Sequence, residues 1–507
     1  MTKKKKDWFK LKFYPHIGLR LSHIDRIWIS SYVKDKQKIS SHAFYPFIHQ
    51  TIKSRKFRRA KHKDGSRSKL RIPSTKIREI FYANHLDSNV YSYYAKIIQK
   101  KYEKYITENN FSECVTAYRQ IPVNPKNQYS RNKCNIDFAK DIFTYIKNQS
   151  PNNLVAITFD ITSFFDNLNH KELKKKWRIV IGSGNDLPED HYNVFRNITK
   201  FSYVNERSLF EYFKDKIYIE RKPDVIKTKQ IAKSKYLKNQ RAIAYCLTED
   251  IKKIRQNNLI KNNKYIIKED GSKELRQKGI PQGSPISALL ANLYLIDFDK
   301  EANEWIKSIN GIYQRYSDDM VIVCDAKHQD SVIDKIKILI ENSKLEIQES
   351  KTQVFNFNYS TKDKRYFCSE YNLETKANND NYNFEYLGFQ FDGKFTLLKN
   401  ASLANYYRKM KKSFKRTEFY TYHNRTKTKG EVFKSKLYKR FTHLGATRRF
   451  IWKRDKNHTD RFIKSEAYDW GNYLTYAKMA QRIMPENKIR NQIKGHWKIF
   501  HDLLKKI

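Results

Sequence analysis

A chain of 507 residues is long enough to bury two or three separate cores. Its 102 Lys and Arg against 53 Asp and Glu give a formal charge of +49. That excess is too large for an ordinary cytosolic enzyme of small substrates and calls for a polyanionic partner held by salt-sensitive contacts. Aromatic residues make up 14%, with 35 Tyr interleaved among the basic residues. Such interleaving suits stacking on unpaired bases, although most of the rings belong in cores.

Residues 1–72 read as a basic N-terminal extension. Its start, Met1-Thr-Lys-Lys-Lys-Lys-Asp7, is followed by no apolar stretch, and no segment reaches the roughly 18 apolar residues of a membrane span. A soluble, cytoplasmic protein without a membrane partner is therefore expected. Tyr14-Pro-His-Ile-Gly18 marks a turn. Lys53-Ser-Arg-Lys-Phe-Arg-Arg59 is a basic run suited to phosphates, with Arg58 and Arg59 as candidate nucleic-acid contacts.

Residues 73–150 read as mainly helical. Asn84-His85-Leu86-Asp87 opens a stretch with Val90, Tyr94, Ile97, Ile98 and Tyr102 at helical spacing. The next element, Leu154-Val-Ala-Ile-Thr-Phe-Asp160, is a short apolar strand ending in a carboxylate, followed by Ile161 and then Phe164-Phe165-Asp166. An insertion around 205–275 follows. Its basic run from Lys222 to Lys238 reads either as a clamp for template or structured RNA or as a long loop without a role.

Gly279-Ile-Pro-Gln-Gly-Ser-Pro-Ile-Ser287 supplies a tight turn in which a residue without Cβ permits close backbone approach. Tyr316-Ser-Asp-Asp319 then sits between two alternating apolar flanks, Ile312 and Tyr313 before it and Val321, Ile322 and Val323 after it. Two paired strands with Asp318 and Asp319 at their tip are expected. Three converging carboxylates, Asp160, Asp318 and Asp319, repel one another unless cations neutralise them. Hard oxygen donors suit Mg2+, and two such ions fit an in-line phosphoryl displacement.

From residue 391 to 507 the chain reads as a basic helical region. Between Lys394 and Arg440 there are fifteen Lys/Arg against two acids, Glu418 and Glu431. Leu403, Tyr407, Met410 and Phe414 recur as one buried helical stripe, leaving Arg408, Lys409, Lys411 and Lys412 for nucleic acid. Trp452, Trp470, Tyr473, Tyr476 and Trp497 are expected in the core of a C-terminal appendage. The five cysteines (Cys114, Cys134, Cys246, Cys324, Cys368) show neither zinc nor disulfide spacing, which fits a reducing compartment.

Taken in order, these motifs resemble the reverse transcriptase family. Asp160 with Phe164-Phe165-Asp166 resembles its first acidic palm motif. The Pro281-Gln282-Gly283 turn and the Tyr316–Asp319 box resemble its Pro-Gln-Gly and Tyr-x-Asp-Asp motifs. Leu345–Thr352, with Lys351, resembles its lysine-bearing motif, and Phe384-Glu-Tyr-Leu-Gly-Phe389 its Leu-Gly hairpin. Ala117-Tyr-Arg119 and Asn132-Lys133-Cys134-Asn135 resemble the fingers segment. The fold implied is α+β, a right-hand polymerase: fingers (73–150), a palm with an antiparallel sheet carrying the acidic site (151–390), and a helical thumb with a C-terminal helical appendage (391–507).

The resemblance implies that Asp160, Asp318 and Asp319 are catalytic and that Asp160, Ile161, Asp318 and Asp319 hold two Mg2+. It also implies that Arg119, Lys133, Phe165, Gln282, Gly283 and Lys351 meet the nucleotide. An aromatic at Phe165 is expected to exclude a 2′-hydroxyl. The N-terminal half is similar to prokaryotic defence-associated, abortive-infection-type enzymes more than to retron or intron types. The expected partners are an RNA template, a dedicated non-coding RNA, dNTPs and a DNA product, with a homo-oligomer left open. The alternative from another class is an RNA-binding scaffold with a vestigial polymerase site.

Overall fold

The computed structural model describes residues 8–61, 67–127, 130–149, 153–222, 225–380, 382–423, 430–446, 449–454, 462–469 and 471–507; for 55–59, 61, 67, 222, 449–454 and 463–469 only the backbone is described. The chain is α+β, with helices and mainly antiparallel sheets, as expected. It divides into two compact units, one drawn from residues 1–119, 158–322 and 330–352, the other from 120–157, 323–329 and 353–507.

In the first unit, the helix His85–Glu108 starts where expected because the Asn84 side chain accepts from the Leu86 N–H. It buries Val90, Tyr94, Ile98 and Tyr102 along one stripe. The residues before it depart from the helical reading. Phe47–Lys61 and Arg67–Tyr82 form one long antiparallel hairpin in register from Ile48↔Tyr82 to Arg59↔Arg71. Thr51, Ile52, Thr75, Ile77 and Ile80 are β-branched and favour strands, but the dense Lys and Arg between them mask the period.

The insertion is also more ordered than a loop. Ile217–Lys222 pairs with Val225–Lys229 and with Ala242–Cys246, and the last of these pairs in parallel with His16–Ile17. Ile231 and Leu237, inside the basic run, are buried with Ile17, Leu209, Phe210, Tyr245 and Ile254. The N-terminal extension and the insertion thus share one core, because each supplies only part of an apolar surface.

In the second unit, the helix Asn135–Asn148 buries Phe138, Ile142, Phe143 and Ile146. Phe143 stacks on Phe391 at 4.8 Å and meets Phe384 edge-on at 5.8 Å. These two rings belong to the three-stranded sheet Phe384–Tyr386, Phe389–Phe391 and Thr396–Leu398. Its first turn uses Leu387 and Gly388, both at positive φ.

The helix Asn400–His423 buries Tyr406, Met410 and Phe414. Tyr406 replaces the expected Tyr407 on the inner stripe, stacking on Tyr473 at 4.8 Å and donating its hydroxyl to the Phe441 carbonyl. The C-terminal region is not wholly helical, since Arg449–Arg454 and Phe462–Asp469 pair as an antiparallel ribbon. Of the expected appendage residues, Trp470 and the Trp452 side chain lie outside the described residues, and Trp497 is partly exposed.

Candidate active site

The strand Leu154–Asp160 is apolar and buried until its final turn outward, so its carboxylate emerges where the core ends. Beyond it the chain is tied to the segment that carries Lys351. Gln348 N–H donates to the Asp160 carbonyl at 2.8 Å, and Thr162 N–H donates to the Glu346 carbonyl at 2.9 Å. Ile161 faces Ile347 in an antiparallel bridge of the non-hydrogen-bonded kind, so its own C=O points away from that segment. Lys351 follows in a short turn, and its ammonium donates to Asp160 Oδ2 at 2.7 Å.

Asp318 and Asp319 sit on a hairpin whose strands, Ile312–Tyr316 and Asp319–Asp325, are joined by only Ser317 and Asp318. Ser317 has φ +65°, the left-handed region that a tight link requires. Its hydroxyl is 3.0 Å from that of Tyr118. The strand Asp319–Asp325 neighbours Leu154–Asp160. Ala326 N–H donates to the Asn153 carbonyl at 2.9 Å, joining the exit of one strand to the entry of the other. The two therefore run antiparallel, and Asp160 and Asp319 share one end of the sheet.

Beneath the tip lies a charged network absent from the expected site residues. Arg315 and Asp299 form a 2.5 Å ion pair with both side chains wholly inaccessible. Arg315 also donates to the Ser317 carbonyl at 2.9 Å and to Asn292 Oδ1 at 3.2 Å, and Tyr313 donates to Asp299 at 2.8 Å. Burial alone would lower the Arg315 pKa; the Asp299 charge and hydrogen bonds outweigh it and hold the guanidinium above its usual value. Burial, then Asp299, pushes the Tyr313 hydroxyl up. The available signal was an arginine in a short strand between apolar and aromatic residues and an aspartate on the apolar face of a helix.

The Gly-Pro-Gln segment meets both the acidic loop and the long hairpin. Gly279 N–H donates to the Leu168 carbonyl and Ile280 N–H to the Phe165 carbonyl, each at 2.9 Å. Phe81 N–H donates to the Gln282 carbonyl at 2.8 Å. Gly283 has φ +120°, and a Cβ there would stand 2.7 Å from the Phe81 carbonyl oxygen. The Gly279–Gly283 segment is thus bonded to the Phe165 loop at Ile280 and to the long hairpin at Gln282, with Gly283 packed against Phe81. Phe165 is half-buried, 5.7 Å from the Phe164 ring.

The expected cations are placed less uniformly. Arg119 is inward-facing: its guanidinium bonds both Glu103 carboxylate oxygens and the carbonyls of Ser112 and Val115. Lys133, in the second unit, pairs with Asp141 at 2.7 Å. Arg58 and Arg59 lie on the long hairpin, and their side chains fall outside the described ones. Arg408, Lys409, Lys411 and Lys412 are exposed on the helix Asn400–His423.

The donor set Asp160, Asp318, Asp319 and the Ile161 carbonyl consists entirely of hard oxygens and fits Mg2+ in kind. Among the described residues, however, no three His, Cys, Asp or Glu side chains are gathered closely enough to hold a metal ion. Asp160 and Asp319 share a sheet end, and the Lys351 ammonium rests on Asp160.

No curated protein matches the sequence. Among solved structures, apo telomerase from Candida Tropicalis is similar at 13% identity and TM-score 0.35, over 74% of this chain and 53% of that one. Telomerase from Candida albicans, in complex with a TWJ fragment of telomeric RNA, is similar at 12% and TM-score 0.35, over 78% and 54%. This chain therefore spans about half the length of those telomerase chains. Residues 220–391, which include Gln282, Gly283, Asp318, Asp319 and Lys351, match the family described as Reverse transcriptase (RNA-dependent DNA polymerase).

Proposed function

We propose that this chain is an RNA-directed DNA polymerase. The observation that carries the reading is that Asp160 and the Asp318–Asp319 tip lie at the same end of one sheet, within a chain whose residues 220–391 match the reverse transcriptase family. Two bound magnesium ions would supply activation of a primer hydroxyl and neutralisation of the leaving pyrophosphate. Asp160, Asp318, Asp319 and the Ile161 carbonyl are the groups that would hold them. Lys351 orients the Asp160 carboxylate through its 2.7 Å hydrogen bond. Gly283 lets backbone approach the base pair, Gln282 offers its amide near the sugar, and Phe165 closes the space beside the sugar. Arg119 and Lys133 are proposed for the triphosphate.

The proposed setting is anti-phage defence in the cytoplasm, with a dedicated non-coding RNA as template; basic surface in both units supports a partner larger than a short hybrid. No helix among the described residues is long and apolar enough to cross a membrane. Asp318→Asn with Asp319→Asn tests the reading. Incorporation of dNTPs on a primed RNA template should fall at least a thousandfold while RNA affinity stays unchanged. Equal incorporation by the double variant would end it.

A second reading, an RNA-binding scaffold with a silent site, is favoured by the Lys351 ammonium seated on Asp160. It expects no incorporation by the unsubstituted protein and full biological effect from the double variant.

A further inference from the structure

The long hairpin is a feature that the proposed reaction does not itself require. Phe47–Lys61 is bonded at its root to Ser202–Asn205, through Phe47, Ile48 and His49, and beyond that, among the described residues, it pairs only with Arg67–Tyr82. From Gln50 to Arg59 the free part is a two-stranded ribbon of roughly 33 Å at ~3.3 Å per residue. An isolated hairpin of this kind is marginal in water. Its composition makes it worse, for between Phe47 and Tyr82 twelve Lys/Arg stand against Asp64 and Glu79. The cross-strand register sets like charges opposite each other, Arg59↔Arg71 and Lys61↔Arg67. Like-charged partners across a ladder destabilise it unless an anion lies between them.

The ribbon is built to receive something other than another strand. Pro73 removes a donor from its outer edge, and a second copy would bring the same cations against these. Apolar residues alternate with the charges: Ile52, Ile72 and Ile77 are 44%, 51% and 53% exposed. Ile52 lies opposite Arg78, and Lys53 lies opposite Ile77. Cations beside exposed isoleucines suit a partner that offers phosphates and bare base faces together. An unpaired strand does so, whereas a duplex hides its base faces.

The root is rigid. Phe81 stacks on His49 at 4.7 Å, meets Phe201 and Tyr203 edge-on, and is bonded to Gln282. We propose that this hairpin is an arm that binds the backbone of an unpaired RNA strand and delivers it to the Gln282–Gly283 loop. The inference rests on the polymerase reading for its purpose and on the ribbon alone for its binding.

The test uses the full chain with Lys53→Gln, Lys69→Gln, Arg71→Gln and Lys76→Gln, all exposed positions. Affinity for a labelled unpaired oligoribonucleotide and for a blunt RNA hairpin duplex is measured from low to high salt. The unpaired RNA should bind about tenfold to a hundredfold more weakly, with the salt slope reduced by about 0.7 for each phosphate no longer neutralised, up to about 3. Duplex affinity should change little. The charge-preserving set Lys53→Arg, Lys69→Arg, Arg71→Lys and Lys76→Arg should restore binding. An unchanged slope, an equal loss on both ligands, or failure of the charge-preserving set to restore binding overturns the arm. Incorporation by the unsubstituted protein is scored separately, so a silent active site would sink the polymerase reading and leave the binding result standing.

Discussion

Lys351 places its ammonium 2.7 Å from Asp160 Oδ2, from a turn whose own backbone is bonded to the Asp160 strand. A fixed positive charge there competes with any cation that seeks the same oxygen. Lys351→Met should therefore tighten Mn2+ binding several-fold, on the order of 1 kcal/mol for one charge at close range in a partly solvated site. Titration calorimetry with the metal alone reads this. Weaker binding in the variant would mean that Lys351 organises the carboxylate more than it competes.

The Arg315–Asp299 pair predicts a stability loss with a distinctive pattern. Removing one member leaves an uncompensated buried charge, at a cost of about 3–5 kcal/mol. Arg315→Met and Asp299→Leu should each lower the unfolding midpoint sharply. The two together should be milder than either alone, because no orphan charge remains. Simple additivity in chemical denaturation would refute the coupling.

Phe165 is proposed as the residue beside the sugar. Phe165→Ala should raise ribonucleotide incorporation relative to deoxynucleotide at least tenfold, with little change in RNA affinity. The comparison is of kcat/KM for paired dNTP and rNTP substrates. Unaltered discrimination would return Phe165 to a packing role beside Phe164.

His16 and His85 predict an acid-sensitive N-terminal module. His16 Nδ1 accepts from Ile17 N–H at 2.8 Å while Nε2 faces the Tyr82 carbonyl at 3.2 Å, which selects the neutral Nε2–H tautomer. Burial, with His85 nearby, pushes His16 down to about 3, and burial, with Arg20 and Lys12, pushes His85 down to about 4. A depressed histidine costs nothing above about pH 6.5. Below that the unfolded chain takes protons that the folded chain refuses, so stability falls as pH falls from about 6.5 toward 4. At pH 5 the loss is about 2 kcal/mol for each histidine. Thermal unfolding at pH 7 and pH 5 should show it, and His16→Asn should roughly halve the difference.

The acidic hairpin was legible because two carboxylates interrupt an alternating apolar pattern, an interruption that a core by itself has no use for. The helix at Asn84 was legible through its cap and spacing. The long basic hairpin was not, because its strands carry lysine and arginine on both faces and so lack the apolar-in, polar-out rhythm that marks a half-buried sheet. The insertion misled for a related reason: Ile231 and Leu237 are isolated within a basic run, and their core is completed by Ile17, more than two hundred residues away in the chain. The Arg315–Asp299 pair was hidden because a charge inside a core betrays itself only when its partner is known.

The two-residue link at Ser317 and Asp318 has an evolutionary corollary. Successive side chains on a strand point to opposite sides, so lengthening this link by one residue would reverse the parity of every position after it. Met320, Ile322 and Cys324 would trade places with Asp319, Val321 and Val323, and a carboxylate would be driven toward the interior. Insertions at this tip should be purged in any lineage that keeps the fold, while Ser317 itself can drift among residues that tolerate its left-handed backbone, such as Asn or Gly.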